Sequence, residues 1–214
     1  EIAQCLVGSE MCIRDRDTEI LVEEADRAAD DTGAKRILDV CTGSGCILLS
    51  LLKMNENRTG TGSDLSEPAL KMAEENRRLL EIPEERAAFV QSDLFERIEG
   101  TYDMIVSNPP YIRTEEIRKL QEEVRLHDPY GALDGKEDGL YFYRRIISEA
   151  GGYFDHQGTL LFEIGYDQAE DVKRLMEEAG YSQIYVKKDL AGLDRVVGGV
   201  YNKARENEEE LTNV

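Results

Sequence analysis

Ser107-Asn108-Pro109-Pro110-Tyr111-Ile112 follows a short apolar run, Tyr102 to Val106, and carries two consecutive prolines. The prolines remove two backbone N–H donors and fix two φ angles. Acceptors are what remains: the Asn108 side-chain oxygen and the Pro109 carbonyl. Two fixed acceptors match a planar NH2 group, which has two donors. Tyr111 adds a flat face against which a flat substrate group can pack. A Pro-Pro turn after a strand, with Asn108 as an ordinary turn residue, accounts for the same letters.

The glycine loop upstream favours the chemical reading. Arg36-Ile37-Leu38-Asp39-Val40 reads as a strand, Cys41-Thr42-Gly43-Ser44-Gly45 as a tight turn and Cys46 to Asn55 as an apolar helix. Glycines there let a ligand touch the backbone, and the helix N-terminus offers N–H groups. The third glycine of a dinucleotide fingerprint is missing. Asp64 lies 19 positions after Gly45, close to the ~20-residue offset at which an acid reaches ribose hydroxyls. Asp93 suits either an adenine amino group or a helix cap, and Leu94 can lie against a ring.

These loops need strands to carry them. Gly60 to Asp64, Ala88 to Gln91, Tyr102 to Val106 and Gly158 to Gly165 read as further core strands, and Gln183 to Lys187 with Arg195 to Tyr201 as a closing hairpin. Helices are expected from a cap at Asp17 or Thr18 to about Asp31, from Ser66 to about Leu80, from Thr114 to about Val124, over Leu140 to Gly151 and over Gln168 to Ala179. Asp128 to Gly135 reads as an ordered loop able to cover the site. Alternating strands and helices give an α/β class with a largely parallel sheet. Glu1 to Arg16 has no clean period and is expected to be irregular or disordered. Residues 205–214 read as a frayed acidic tail.

The chain has 214 residues, 26 Lys and Arg against 45 Asp and Glu, and a net charge of -19. Such a surface repels phosphate backbones and argues against direct nucleic-acid binding. No apolar run approaches the ~20 residues of a membrane span, and no secretory segment stands out, so a cytoplasmic protein is expected. Cys5, Cys12, Cys41 and Cys46 form no metal-ligand spacing and read as reduced thiols. His127 and His156 suggest neither a metal nor a triad.

Asp39-x-x-x-Gly43-Ser44-Gly45, then Asp64, then Asn108-Pro109-Pro110-Tyr111 resembles the motif order of class I S-adenosylmethionine-dependent methyltransferases. Asp17-Thr18-Glu19, Glu123-Val124-Arg125, Pro129-x-x-Ala132-Leu133, Glu163-x-Gly165 and Asp194-Arg195-Val196-Val197 narrow the resemblance to the HemK/PrmC family, the glutamine methyltransferases of peptide-chain release factors. It runs from Asp17 to about Asn202, so residues 17–204 are expected to be the catalytic domain. The family's Pro-Arg-Pro run is replaced by Arg14-Asp15-Arg16, and residues 1–16 look foreign to it, disordered or artefactual. The family's small helical N-terminal domain, which helps dock the release factor, is expected to be absent.

The resemblance implies a Rossmann-like, mostly parallel seven-stranded sheet with an antiparallel C-terminal strand. It implies S-adenosylmethionine held by Asp39, Cys41, Thr42, Gly43, Ser44, Gly45, Asp64, Leu65, Asp93, Leu94 and Asn108. Asn108, Pro109, Pro110 and Tyr111 would hold the substrate, the glutamine amide of a Gly-Gly-Gln loop in a release factor. No metal is implied, and a monomer is expected. A nucleic-acid amino-methylase presents the same NH2 geometry, and a non-catalytic cofactor-binding partner is a third reading.

Overall fold

The computed structural model describes residues 14–117 and 133–203, with side chains from residue 18 onward. The first Cys pair, His127, most of the covering loop, the Glu123 and Pro129 motif residues and the acidic tail lie outside the described residues. One seven-stranded sheet has the order β3-β2-β1-β4-β5-β7-β6. Its centre is β1 (Arg36–Val40) beside β4 (Tyr102–Ser107). Both are buried along nearly their whole length, which explains their apolar runs without strict alternation. β2 (Thr59–Asp64), β3 (Ala87–Gln91) and β5 (Phe154–Glu163) join in parallel. β7 (Asp194–Asn202) runs antiparallel between β5 and β6 (Ser182–Lys188), and the last two strands form the expected hairpin.

β2 is an unlikely strand by composition, since Gly60 and Gly62 weaken pleated packing. Their missing side chains are what let it sit here. A Cβ on Gly60 would overlap the Leu48 side chain and lie 2.7 Å from the Ile37 carbonyl oxygen. A Cβ on Gly62 would lie 2.8 Å from both Phe89 and the Thr42 hydroxyl.

Helices cover both faces. α1 (Arg14–Thr32) and α2 (Cys46–Met54) bury Leu21, Ala25, Leu48 and Leu51 against Ile37, Met104 and Val106. α3 (Glu67–Leu79) lies against β2 and β3, and Ser66 caps it by accepting the Ala69 N–H. After α4 (Thr114–Ile117), whose expected continuation to about Val124 lies outside the described residues, α5 (Tyr141–Ala150) and α6 (Ala169–Glu178) bury Tyr143, Ile146, Val172 and Met176 against the opposite face.

The start of α1 corrects one expectation. Arg14 to Arg16 are already helical, so these residues are not irregular, and Asp17 and Thr18 lie inside the helix rather than capping it. Thr18 instead sends its hydroxyl proton to Glu163 at the end of β5. Gly33, at φ 70°, ends the helix as expected. Arg58, 1% exposed, locks α1 in place by donating to Asp26 at 2.5 Å and Asp30 at 2.7 Å.

From β1 the chain steps outward through β2 to β3, then returns to β4 and proceeds the other way. The gap between the carboxyl ends of β1 and β4 is therefore the topological switch point, where open α/β sheets bind ligands.

Candidate functional site

The loops that follow β1, β2, β3, β4 and β5 leave the sheet at this end. The first is the glycine turn after β1. Cys41 enters it with left-handed backbone, φ 62°, followed by Gly43 at 55° and Gly45 at 79°. The Gly45 N–H donates to the Thr42 carbonyl, and the Thr42 N–H to the Ser63 carbonyl, both at 2.9 Å. Asn76, fully buried on α3, donates to the Ser44 carbonyl at 3.0 Å. A Cβ on Gly45 would press on Ala73 and Leu49 at 3.1 Å, whereas one on Gly43 would meet nothing within 4 Å. The turn is packed on its helix side and open at Gly43.

Asp39 stands behind this turn and is completely buried. Its Oδ2 accepts the Thr42 hydroxyl proton at 2.6 Å and the Leu48 N–H at 3.3 Å. Its Oδ1 is buried with no hydrogen-bond partner among the described residues. Burial raises its pKa from 3.8 to about 7, against the lowering effect of the two hydrogen bonds and assisted by the charge of Asp64. Burial likewise raises the Cys41 thiol, with Asp64 and Asp39 adding to it.

Asp64 closes β2 and braces the same turn. Oδ2 accepts the Gly43 N–H at 2.9 Å and Oδ1 the Ser66 N–H at 2.8 Å. A carboxylate has about four lone-pair sites, so each oxygen can still accept from a hydroxyl. Leu65 beside it is 69% exposed at the rim.

The loop after β3 carries Asp93 and Leu94. Asp93 pairs with Arg145 of α5 at 2.8 Å, and the Arg145 guanidinium lies 5.9 Å from the centre of the Tyr141 ring. The turn is capped by Ser92, whose hydroxyl accepts the Arg97 N–H at 3.0 Å. Leu94 takes φ 50° and buries its side chain in the core, 4% exposed, so the side chain does not face an open crevice.

After β4, Ser107 donates to the Val40 carbonyl at 2.6 Å and ties the two central exits together. Pro109 is buried; Asn108, Pro110 and Tyr111 are partly so. The Asn108 Nδ2 donates to the Thr18 hydroxyl oxygen at 3.4 Å. Ile112 pairs with Asp134 and starts the far side of the loop. Gln168, 3% exposed, is the brace: Nε2 donates to the carbonyls of Tyr111 at 3.0 Å and Gly139 at 3.3 Å, while Oε1 accepts the Gly165 N–H at 3.0 Å.

Asp39, the glycine turn, Asp64 and Asn108-Pro109-Pro110-Tyr111 thus gather at the carboxyl ends of β1, β2 and β4, with Asp93 at the loop after β3. Sequence reasoning missed Gln168 and Arg145 as parts of this assembly. It placed Thr18 in a family motif and as a helix cap, and Glu163 only in a family motif. The arrangement fits a ligand with an ammonium group and a ribose: a buried carboxylate oxygen without a partner, open space beside Gly43, and an acid with spare acceptors.

Residues 11–125 match the methyltransferase small domain family. A release factor glutamine methyltransferase of Agrobacterium fabrum is 44% identical over 85% of this chain and 64% of its own length. One of Thermodesulfovibrio yellowstonii is 43% identical over 89% and 69%. The chain therefore spans about two thirds of the length of these relatives. The crystal structure of a release-factor-specific protein-(glutamine-N5) methyltransferase from Alicyclobacillus acidocaldarius superposes with a TM-score of 0.53 at 30% identity, covering 88% of this chain and 93% of that one. Fold, motif order and likeness along the chain agree, and the chain belongs to the methyltransferase small domain family and, within it, to the release factor glutamine methyltransferases.

Proposed function

We propose that this chain transfers the methyl group of S-adenosylmethionine to the side-chain amide nitrogen of the glutamine in the Gly-Gly-Gln loop of peptide-chain release factors, in the cytoplasm. The observation that carries the reading is the Asn108-Pro109-Pro110-Tyr111 loop at the switch point, next to the glycine turn and the partnerless oxygen of Asp39. Asp39 would face the ammonium group of the cofactor's methionine end, Gly43 and Gly45 would lie along that end, and Asp64 would accept from the ribose hydroxyls. Leu65 supplies apolar surface at the rim.

When bound, the cofactor supplies an electrophilic methyl on a positively charged sulfur. An amide nitrogen is a weak nucleophile because its lone pair is delocalised. Asn108 Oδ1 and the Pro109 carbonyl accept its two N–H bonds and aim the nitrogen along the line of transfer, while Tyr111 packs on the amide plane. Catalysis is then positioning plus electrostatics. The new N–C bond forms as the C–S bond breaks, and the sulfur keeps the electron pair. The nitrogen then loses its extra proton to water, so no strong base is needed beforehand.

Transfer of labelled methyl to a purified release factor tests the reading. The wild-type chain is expected to label the factor. Asn108→Ala is expected to keep cofactor affinity and lose about 10²–10³-fold in turnover, the range seen when one fixed polar contact to the reacting group is removed. Equal loss of binding and turnover would contradict the role given to Asn108, and an unlabelled factor with the wild-type chain would contradict the function.

A further inference from the structure

We propose that Glu163 and Thr18 select which face of the Asn108 amide meets the substrate, an inference that rests on the function proposed above. Glu163 ends β5 and is 2% exposed. Its Oε2 accepts the Thr18 hydroxyl proton at 2.8 Å, across 145 positions of sequence. A threonine hydroxyl has one proton. With that proton given to the carboxylate, the oxygen can offer only lone pairs to anything else. Asn108 Nδ2 donates to the same oxygen at 3.4 Å.

An asparagine amide is two-faced. Rotation by half a turn exchanges its oxygen for its NH2, with little change in shape. A hydroxyl free to donate or accept would tolerate both orientations. A hydroxyl whose proton is committed to a carboxylate tolerates one: NH2 toward Thr18 and Oδ1 away from it. The reaction needs that orientation, because the substrate amide brings N–H donors and must meet an acceptor. The reversed amide would set NH2 against NH2. Glu163 and Thr18 are therefore positioning residues, and no proton moves along the chain of contacts.

The fold supports this from two sides. β4 and β5 pair with Ser107 opposite Phe162, which sets the ends of the two strands together. α1 packs on β5, and the buried Arg58 clamp at Asp26 and Asp30 holds the helix that carries Thr18.

Glu163→Gln is the discriminating variant. A glutamine NH2 can donate to Thr18, which frees the hydroxyl proton to seek Asn108 Oδ1 and reverses the amide. Turnover is expected to fall roughly 10- to 100-fold, with cofactor affinity and the KM for release factor unchanged. Thr18→Val is expected to lose as much, and Thr18→Ser to retain wild-type turnover. Combining Glu163→Gln with Thr18→Val is expected to be no worse than either alone, because the pair acts as one unit. A separate readout does not depend on transfer. In the wild-type chain, nuclear Overhauser effects are expected from the Asn108 side-chain NH2 protons to the Thr18 side chain, and they are expected to weaken in Glu163→Gln. Unchanged effects in Glu163→Gln, or a Thr18→Ser loss equal to that of Thr18→Val, would overturn the proposal. If the wild-type chain labels no release factor, the function falls, and the Overhauser comparison still decides the amide orientation.

Discussion

Asp39 concentrates the physics of the site in one side chain. One oxygen is satisfied by Thr42 and Leu48, the other is buried without a partner among the described residues, and burial raises the pKa from 3.8 to about 7. Between those values the folded chain holds a proton that the unfolded chain releases. The stability tied to this group is therefore full below about pH 4 and is lost as pH rises through about 7. An ammonium beside Oδ1 favours the ionised carboxylate, so cofactor binding near pH 6 should release a proton. Calorimetry in buffers of different ionisation heat is expected to show that release, and Asp39→Asn to abolish it. Proton uptake at that pH by the wild-type chain would contradict the placement of the ammonium group. Asp39, the glycine turn and Asp64 were legible in the sequence because their spacing is local. Thr18 with Glu163, Gln168 with Tyr111 and Arg145 with Asp93 were not, because 145, 57 and 52 positions separate the partners. No periodicity connects residues that only the sheet brings together.

At the scale of elements, the site is a set of loops tied to one another. Gln168 joins the exit of β4, the turn before α5 and the exit of β5 through one buried amide. Gln168→Ala leaves the Gly165 N–H and the Tyr111 carbonyl without that partner. The expected cost is about 1–3 kcal/mol, read as a lower denaturant midpoint at unchanged slope. A midpoint equal to wild type would show that the amide is not the brace described. Apart from the glycine-rich β2, the strands were legible from short apolar runs ending in polar turns, including the closing hairpin. The helical state of Arg14 to Arg16 was not, because these residues carry no apolar stripe, and a threonine inside a helix resembles a cap until its distant partner is known. The burial of the Leu94 side chain, which follows from its left-handed backbone, was not legible in the sequence either.

At the scale of the molecule, the strand order and the switch between β1 and β4 place the glycine turn and the Asn-Pro-Pro-Tyr loop side by side. No helix among the described residues is long and apolar enough to cross a membrane. The net charge of -19 argues against nucleic acid as the carrier of the reacting NH2 group, since phosphates are repelled by such a surface. A competition in one tube tests this most directly: labelled S-adenosylmethionine, the wild-type chain, a release factor, the same factor with alanine in place of the Gly-Gly-Gln glutamine, and mixed DNA and RNA. The account expects label on the unaltered factor alone. Label on the nucleic acid, or equal label on both forms of the factor, would contradict it.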